Sequence, residues 1–255
     1  MRIIHLTDLH AEVNKKTDKK WKDLRQALIK INGKSSIKAL IVTGDFTVHG
    51  SREEFAYVGE KLRCIMDDLE LKENQVFFCR GNHDSDTAVK SSEYRHYKWF
   101  LKHFFQKVWD PEGYRPMGKN YGVISFNSCT ETSLEQFDDA VLTKRDIRAA
   151  GKIPDDGRFH IGLIHHQPEV LMNREELAKL AGKIDFLLSG HLHSDCVRLY
   201  EECGIPVENG IGLTPHLPEL PSGFQVLKFK DGKLVKARGY VRNKKGKYVK
   251  LTTGK

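Results

Sequence analysis

Gln75-Val76-Phe77-Phe78-Cys79-Arg80-Gly81-Asn82-His83-Asp84 is the stretch on which the fold turns. Four apolar residues in a row suit a strand buried on both faces. The run then stops on a carboxamide, an imidazole and a carboxylate. Outward from here the same order recurs. Ile3-Ile4-His5-Leu6 ends in Thr7-Asp8-Leu9-His10, and Ala39-Leu40-Ile41-Val42 leads to Gly44-Asp45. Helical patterns lie between the runs. Trp21, Leu24, Leu28 and Ile31 recur at helix spacing before Gly33. Ser51-Arg52-Glu53-Glu54 has capping-box form, ahead of an apolar stripe from Phe55 to Leu69. The pattern is β-α-β-α-β, which predicts an open α/β sheet binding its ligand beyond the carboxyl ends of the strands.

Further along, Val123–Phe126, His160–Ile164 and Ile184–Ser189 read as strands, with a helix around Glu175–Ala181. Phe224–Phe229 and Leu234–Val241 flank Asp231-Gly232, a strong hairpin signal. Eight of the 24 aromatic residues fall between Tyr94 and Tyr114. Tyr97, Phe100, Leu101, Phe104 and Val108 recur every three to four residues, as the buried face of a helix does. The competing reading is a cap over the site with a ring stacked on a nucleobase. With no repeat and no Gly/Ser linker, the expectation is one domain over 1–255. It carries an aromatic-rich insert around 86–120 and a basic hairpin and tail at 223–255.

The 255 residues are 39% hydrophobic, enough for a core and too apolar for a disordered chain. No apolar run reaches the ~18 residues of a membrane span, and the opening apolar stretch is too short for a secretory signal. The five cysteines are odd in number and form no CxxC, as expected of reduced thiols. Together these features predict a cytoplasmic protein with no membrane partner. The net charge is +8, but from Pro221 onward eleven Lys/Arg face one acid, so residues 1–220 sum to −2. The basic end reads either as the wet face of a hairpin or as an attraction for nucleic acid.

The polar residues at the strand ends carry the chemistry. Asp8, His10, Asp45, Asn82, His165, His191 and His193 offer seven side-chain ligands of the mixed N/O kind used by manganese, iron and zinc. One ion cannot use seven, whereas two ions sharing a carboxylate can. No cysteine joins the set, so a structural zinc knuckle is excluded. There is no Gly-x-Ser-x-Gly and no Walker loop.

Five blocks carry a family resemblance: Asp-Leu-His at 8–10, Gly-Asp-Phe-Thr at 44–47, Gly-Asn-His-Asp at 81–84, His-His at 165–166 and Gly-His-Leu-His at 190–193. In order and spacing they resemble the calcineurin-like metallophosphoesterases. Residues 44–55 further resemble the branch containing class III cyclic-nucleotide phosphodiesterases. Val48-His49-Gly50 departs from the Asp-Arg-Gly of the serine/threonine phosphatases, and Arg80 stands where the family usually has proline. The resemblance implies a four-layer α/β/β/α sandwich of two mixed sheets with two metals at the sheet edges. It implies that Asp8, His10, Asp45 and His193 hold one ion, and that Asp45, Asn82, His165 and His191 hold the other. Asp45, Asn82 and His83 then form the catalytic set, with His83 near the substrate phosphate. Many relatives dimerise, so the resemblance leaves room for a homodimer, though the sequence itself gives no oligomeric state.

Two divalent ions, Asp8, Asp45 and a bridging hydroxide leave a net charge of about +1, which attracts a phosphate and activates the hydroxide to attack it. The sequence thus predicts a phosphodiesterase with two divalent ions (Mn²⁺, Fe²⁺/Fe³⁺ or Zn²⁺), acting on a small phosphodiester, a cyclic nucleotide first among them. The alternatives are a nuclease using the basic C-terminal region, a phosphomonoesterase, and a non-catalytic scaffold. Arg80, His166 and His216 are candidate substrate-binding residues.

Overall fold

Strand alternation sorts the apolar residues of this chain into three layers of core. The computed structural model describes residues 1–85, 94–106, 113–129, 140–193, 196–214 and 220–251. In β1 (Arg2–Leu6), β2 (Ala39–Thr43) and β3 (Val76–Cys79), every second side chain faces the same way. Ile4, Leu6, Leu40, Val42 and Phe78 pack under α1 (Lys15–Asn32), α2 (Arg52–Leu69) and α3 (Arg95–Phe104). Ile3, Ala39, Ile41 and Phe77 turn the other way and meet Val123, Ile161, Leu163, Phe186 and Leu188 of a second sheet. The far side of that sheet, through Ile124, Leu187 and Val207, packs under α4 (Lys144–Gly151) and α5 (Arg174–Ala178). The result is the four-layer α/β/β/α sandwich.

The first sheet runs β12-β11-β10-β1-β2-β3 and the second β4-β5-β6-β7-β9-β8. Their remaining strands are β4 (Gly113–Met117), β5 (Tyr121–Ser125), β6 (Phe159–Leu163), β7 (Phe186–Ser189), β8 (Arg198–Glu202), β9 (Ile205–Asn209), β10 (Gly223–Lys230), β11 (Lys233–Arg242) and β12 (Tyr248–Lys250). β1, β2 and β3 are parallel, as are β5, β6, β7 and β9, while the other pairs are antiparallel. Parallel strands deliver their carboxyl ends to one edge, and both sheets do so side by side.

Local signals explain the boundaries. Ser51 and Glu54 close a reciprocal capping box on α2, and Asn14 caps α1. Asp231 and Gly232 both have positive φ, as a two-residue hairpin of β10 and β11 demands. The helix expected around Glu175–Ala181 is shorter and earlier, at Arg174–Ala178. α4 escapes periodicity because its eight residues carry few apolar groups; its sequence signal is the Thr143–Asp146 capping box.

The aromatic stretch is core where it is described. Tyr97 and Phe100 of α3 stand 5.3 to 6.1 Å from the rings of Phe46, Phe55 and Phe78, and both are buried. These rings are committed to packing and unavailable to a nucleobase. Val108 and the rest of 107–112, with 86–93, lie outside the described residues. All five cysteines are free thiols. No described helix is long and apolar enough to cross a membrane.

Candidate metal centre

The turns that follow β1, β2 and β7 are strained in a common way. Asp8, His10, Asp45, His191 and His193 have φ of +50°, +37°, +51°, +70° and +48°. The left-handed region costs a non-glycine residue about 1–3 kcal/mol, and such residues gather at functional sites. Backbone hydrogen bonds hold the turns together, with Asp8 N–H donating to Gly44 O (3.2 Å), His10 N–H to Asp45 O (2.9 Å) and Gly190 N–H to His165 O (2.9 Å). The neighbouring glycines are there for room. A Cβ on Gly81 would lie 2.0 Å from Asp45 Oδ1, and one on Gly190 would lie 2.0 Å from Thr7 Oγ1.

These turns bring all seven expected ligands together. His193 Nε2 is 3.2 Å from Asp8 Oδ1 and 3.0 Å from His10 Nε2. His165 Nε2 is 3.0 Å from Asn82 Oδ1, and the His165 and His191 rings are 5.1 Å apart. Asp45 sits between the two groups, its Oδ2 3.5 Å from His10 Nε2 and 3.4 Å from His165 Nε2. Its Oδ1 accepts from His83 N–H at 2.9 Å, which leaves Oδ2 for the space between. Within 4.8 Å, ligand atoms converge in Asp8–His10–His193, in Asp8–Asp45–His165 and in His10–Asp45–His83.

A second layer of hydrogen bonds orients these groups. The Thr43 carbonyl accepts from His165 Nδ1–H at 2.8 Å, which turns Nε2 toward Asn82 Oδ1 and Asp45 Oδ2 and makes it the atom a cation would take once its proton leaves. Likewise the Val48 carbonyl accepts from His83 Nδ1–H at 2.9 Å. Thr7 Oγ1 donates to Asp8 Oδ2 (2.8 Å), and Asp84 accepts from the N–H groups of Phe46, Thr47 and Gly81 at 2.8, 3.2 and 2.9 Å. Asp84 therefore ties the Gly44–Thr47 turn to the Gly81–Asp84 turn. Beneath them, His5 bridges Glu208 (2.7 Å) and Thr43 Oγ1 (2.8 Å), fully buried between the sheets.

The electrostatics follow from this crowding. Burial alone would raise the carboxyl pKa values of Asp8 and Asp45, but His193 and His165 respectively reverse this and hold both groups below the usual range. Burial disfavours a proton on His165, yet Asp45 and Asp8 outweigh it and push its pKa up to about 9. His10 goes the other way. Burial, with His83 and His193 nearby, brings it down to about 4 despite the two aspartates. Imidazole, carboxylate and carboxamide atoms 3.0–3.5 Å apart are a fit for cations that displace the imidazole protons. Asn82 Nδ2 is buried without a partner among the described residues, which leaves its amide free to donate to an oxygen from the cleft.

The cleft beside these groups has a volume of about 860 Å³. Asn14, Lys16, Thr17 and Lys20 form one polar wall, and Val48, Leu192 and Leu220 contribute apolar surface. Burial and then Lys16 and Arg242 lower the Lys20 pKa. Sequence reasoning missed this wall, because α1 shows only its buried stripe and its cap in the pattern. It also missed Thr7, Thr43, Glu208 and the binding role of the Asp84 carboxylate.

The expected substrate residues fare differently. His83 lies at the cleft, 4.8 Å from His10 ring to ring. His166 is fully buried, with Nδ1 2.9 Å from Ser128 Oγ and its ring 4.5 Å from His191. It also joins His165 and His191 as a group whose ligand atoms lie within 4.8 Å. Arg80 lays its guanidinium 4.0 Å over the Tyr94 ring. His216 lies outside the described residues.

The calcineurin-like phosphoesterase family matches residues 1–195. The chain belongs to this family. Its members are metal-dependent, and the Asp/His groups of this chain are compatible with divalent ions. The fold is similar to that of a purple acid phosphatase from yellow lupin seeds, with TM-score 0.60 and 12% identity over 98% of this chain and 52% of that one. It is also similar to an NAD nucleotidase from Haemophilus influenzae, with TM-score 0.51 and 14% identity over 99% of this chain and 60% of that one. The chain thus spans just over half of each. Vacuolar protein sorting 29 from Cryptosporidium parvum aligns with TM-score 0.49 and 15% identity over 98% of this chain and 95% of that one. At these identities the likeness is one of fold. No curated protein matches the sequence.

Proposed function

We propose that this member of the family is a two-metal phosphodiesterase acting on a small, nucleotide-sized phosphodiester, with a cyclic nucleotide as the first candidate. One observation carries the two-metal reading: Asp45 Oδ2 stands midway between His10 Nε2 and His165 Nε2, at 3.5 and 3.4 Å. In this assignment Asp8, His10, Asp45 and His193 hold one ion, and Asp45, Asn82, His165 and His191 the other. Two divalent ions supply Lewis-acid charge for the phosphoryl oxygens and an acidified water.

The remaining roles belong to the chain. Asp45 Oδ1 fixes His83 through its backbone N–H, and the Val48 carbonyl fixes the ring through Nδ1, leaving Nε2 to carry a proton toward the departing oxygen. Asn82 Nδ2 donates to a phosphoryl oxygen and thereby loses its orphan status. Lys16 and Lys20 add positive charge along one wall. The diester reading rests on walls of opposite character, polar through Asn14 and Thr17 and apolar through Leu192 and Leu220, which suit the two arms of a diester. About 860 Å³ falls within the range of nucleotide-sized ligands.

The test is hydrolysis of bis(p-nitrophenyl) phosphate beside p-nitrophenyl phosphate, after metal stripping and reloading with Mn²⁺, then a panel of cyclic nucleotides. The expected result is metal-dependent diester cleavage that vanishes in Asp45→Asn. Cleavage of the monoester alone would replace the reading with a phosphomonoesterase. Turnover of neither, with two ions bound, would count for a scaffold.

A further inference from the structure

The outer face of the first sheet holds a second concentration of charge. Register sets Arg2 of β1 opposite Lys228 of β10, and Lys228 opposite Lys236 of β11. The next row sets Val226 beside Arg238, and the one after sets Tyr240 beside Lys250 of β12. Like charges directly opposite across a ladder are destabilising. α1 covers part of this face, and its end brings Lys30 and Lys34 to the same place. The result is a pocket of about 610 Å³ lined by seven basic residues and no acidic one.

None of the seven has a carboxylate partner among the described residues. Arg2 instead donates to the Ser35 carbonyl, and Arg238 Nε is buried without an acceptor. Burial, with Arg238 adding repulsion, lowers the Arg2 pKa. The pocket is remote from the metal centre. Arg2 opens β1 and Asp8 follows its end, a separation of about 20 Å at ~3.3 Å per residue.

We propose that this pocket is a binding site for a compact polyphosphate, three or more phosphates joined together or carried on one small scaffold. Charge density selects the ligand. Arg2, Lys228 and Lys236 sit on three adjacent strands, a row of about 10 Å at ~4.8 Å per strand. A nucleic-acid strand, at about 3.4 Å per phosphate, would bring only two or three charges into that width. Seven cations converging on one concavity match a compact polyanion better. A bound polyphosphate would also relieve the repulsion along the Arg2–Lys228–Lys236 row and give Arg238 Nε its acceptor.

The test is calorimetric titration of tripolyphosphate, and separately of ATP, into the metal-free full chain at about 0.15 M salt. One saturable site is expected. The double variant Lys228→Glu/Lys236→Glu should weaken it at least ~10-fold, and Asp45→Asn should leave it within about twofold. Equal affinity for both probes would mean that phosphates alone are read, and tighter ATP that the base adds to them; both support the proposal. Lys228→Glu alone should also weaken binding while melting higher than the parent chain, because a carboxylate there faces Arg2 and Lys236, so binding lost in that single variant cannot be blamed on unfolding. Three results would overturn the proposal. They are no saturable binding, binding lost in Asp45→Asn but kept in the lysine double variant, and displacement of tripolyphosphate by a short single-stranded oligonucleotide of higher affinity.

Discussion

His10 and His165 approach the same oxygen of Asp45 from two sides, at 3.5 and 3.4 Å, and are driven in opposite directions. Burial penalises charge on both. At His10 the rings of His83 and His193 add to that penalty, and the pKa falls to about 4. At His165 the aspartates win, helped by the Thr43 carbonyl on Nδ1, and the pKa rises to about 9. The contrast teaches that His10 is ready to bind a cation near neutral pH. His165, like His193 whose pKa Asp8 raises, holds on to a proton that a cation must displace.

Breaking the comparison should have the largest effect. Asp45→Asn removes the charge that both halves share and that raises His165. The expected outcome is a loss of about 10³-fold or more in metal-dependent phosphoester hydrolysis, with weakened binding in both halves. Steady-state assays and metal analysis of the dialysed protein would check this. Retention of one full-affinity ion would mean that the halves do not share Asp45.

The next prediction sharpens the contrast. Because His165 must lose its proton, affinity for one ion should climb about tenfold per pH unit from neutrality toward pH 9 and then level off. The other ion should show no such climb through His10, already neutral above about pH 4. Calorimetry in buffers of different ionisation heat counts the protons released. His193, raised by Asp8, adds its own release on the His10 side, so the result that would erase the distinction is no proton released on the His165 side between pH 7 and 9.

A smaller change should follow from Thr7→Val. It keeps the shape but removes the 2.8 Å hydrogen bond that orients Asp8 Oδ2. Loss of such a supporting bond weakens metal binding by about 10–100-fold, here in the Asp8–His10–His193 half first. Competition with a fluorescent chelator would measure it.

The smallest effect is on the stability of the metal-free chain. A folded-state pKa of about 9 for His165, against an ordinary 6.5, gives stability that is fully present below pH 6.5 and lost as pH rises through 9. His10, lowered to about 4, has the opposite history: stability falls as pH drops from 6.5 toward 4. Each limb is worth up to about 1.4 kcal/mol per pH unit. Denaturant titrations should therefore show an alkaline fall between pH 6.5 and 9 without metal, and metal loading should abolish it.

The seven ligand candidates were legible because they follow apolar runs in a fixed order, and a strand end is where an α/β sheet exposes its chemistry. The apolar runs of β1 and β2 likewise marked buried strands. What could not be read is conformational or long-range. Nothing in the pattern marks positive φ at Asp8, His10, Asp45, His191 and His193. His5 and Glu208 are 203 residues apart and meet only because β1 and β9 face each other across the sandwich. Lys20 looks like any lysine on a solvated helix face until α1 is placed beside the cleft. The aromatic helix was ambiguous for a different reason, since rings every three to four residues serve a core or a cap equally well. Burial of Phe100 against Phe46 and Phe55 decides for the core.

The central claim is that Asp45 is shared by two ions. Anomalous diffraction from crystals grown with Mn²⁺ tests it most directly. Two peaks about 3.5–4 Å apart on either side of Asp45 Oδ2, one among Asp8, His10 and His193 and the other among Asn82, His165 and His191, are the predicted result. A single peak, or two peaks with Asp45 bound to only one, would contradict it.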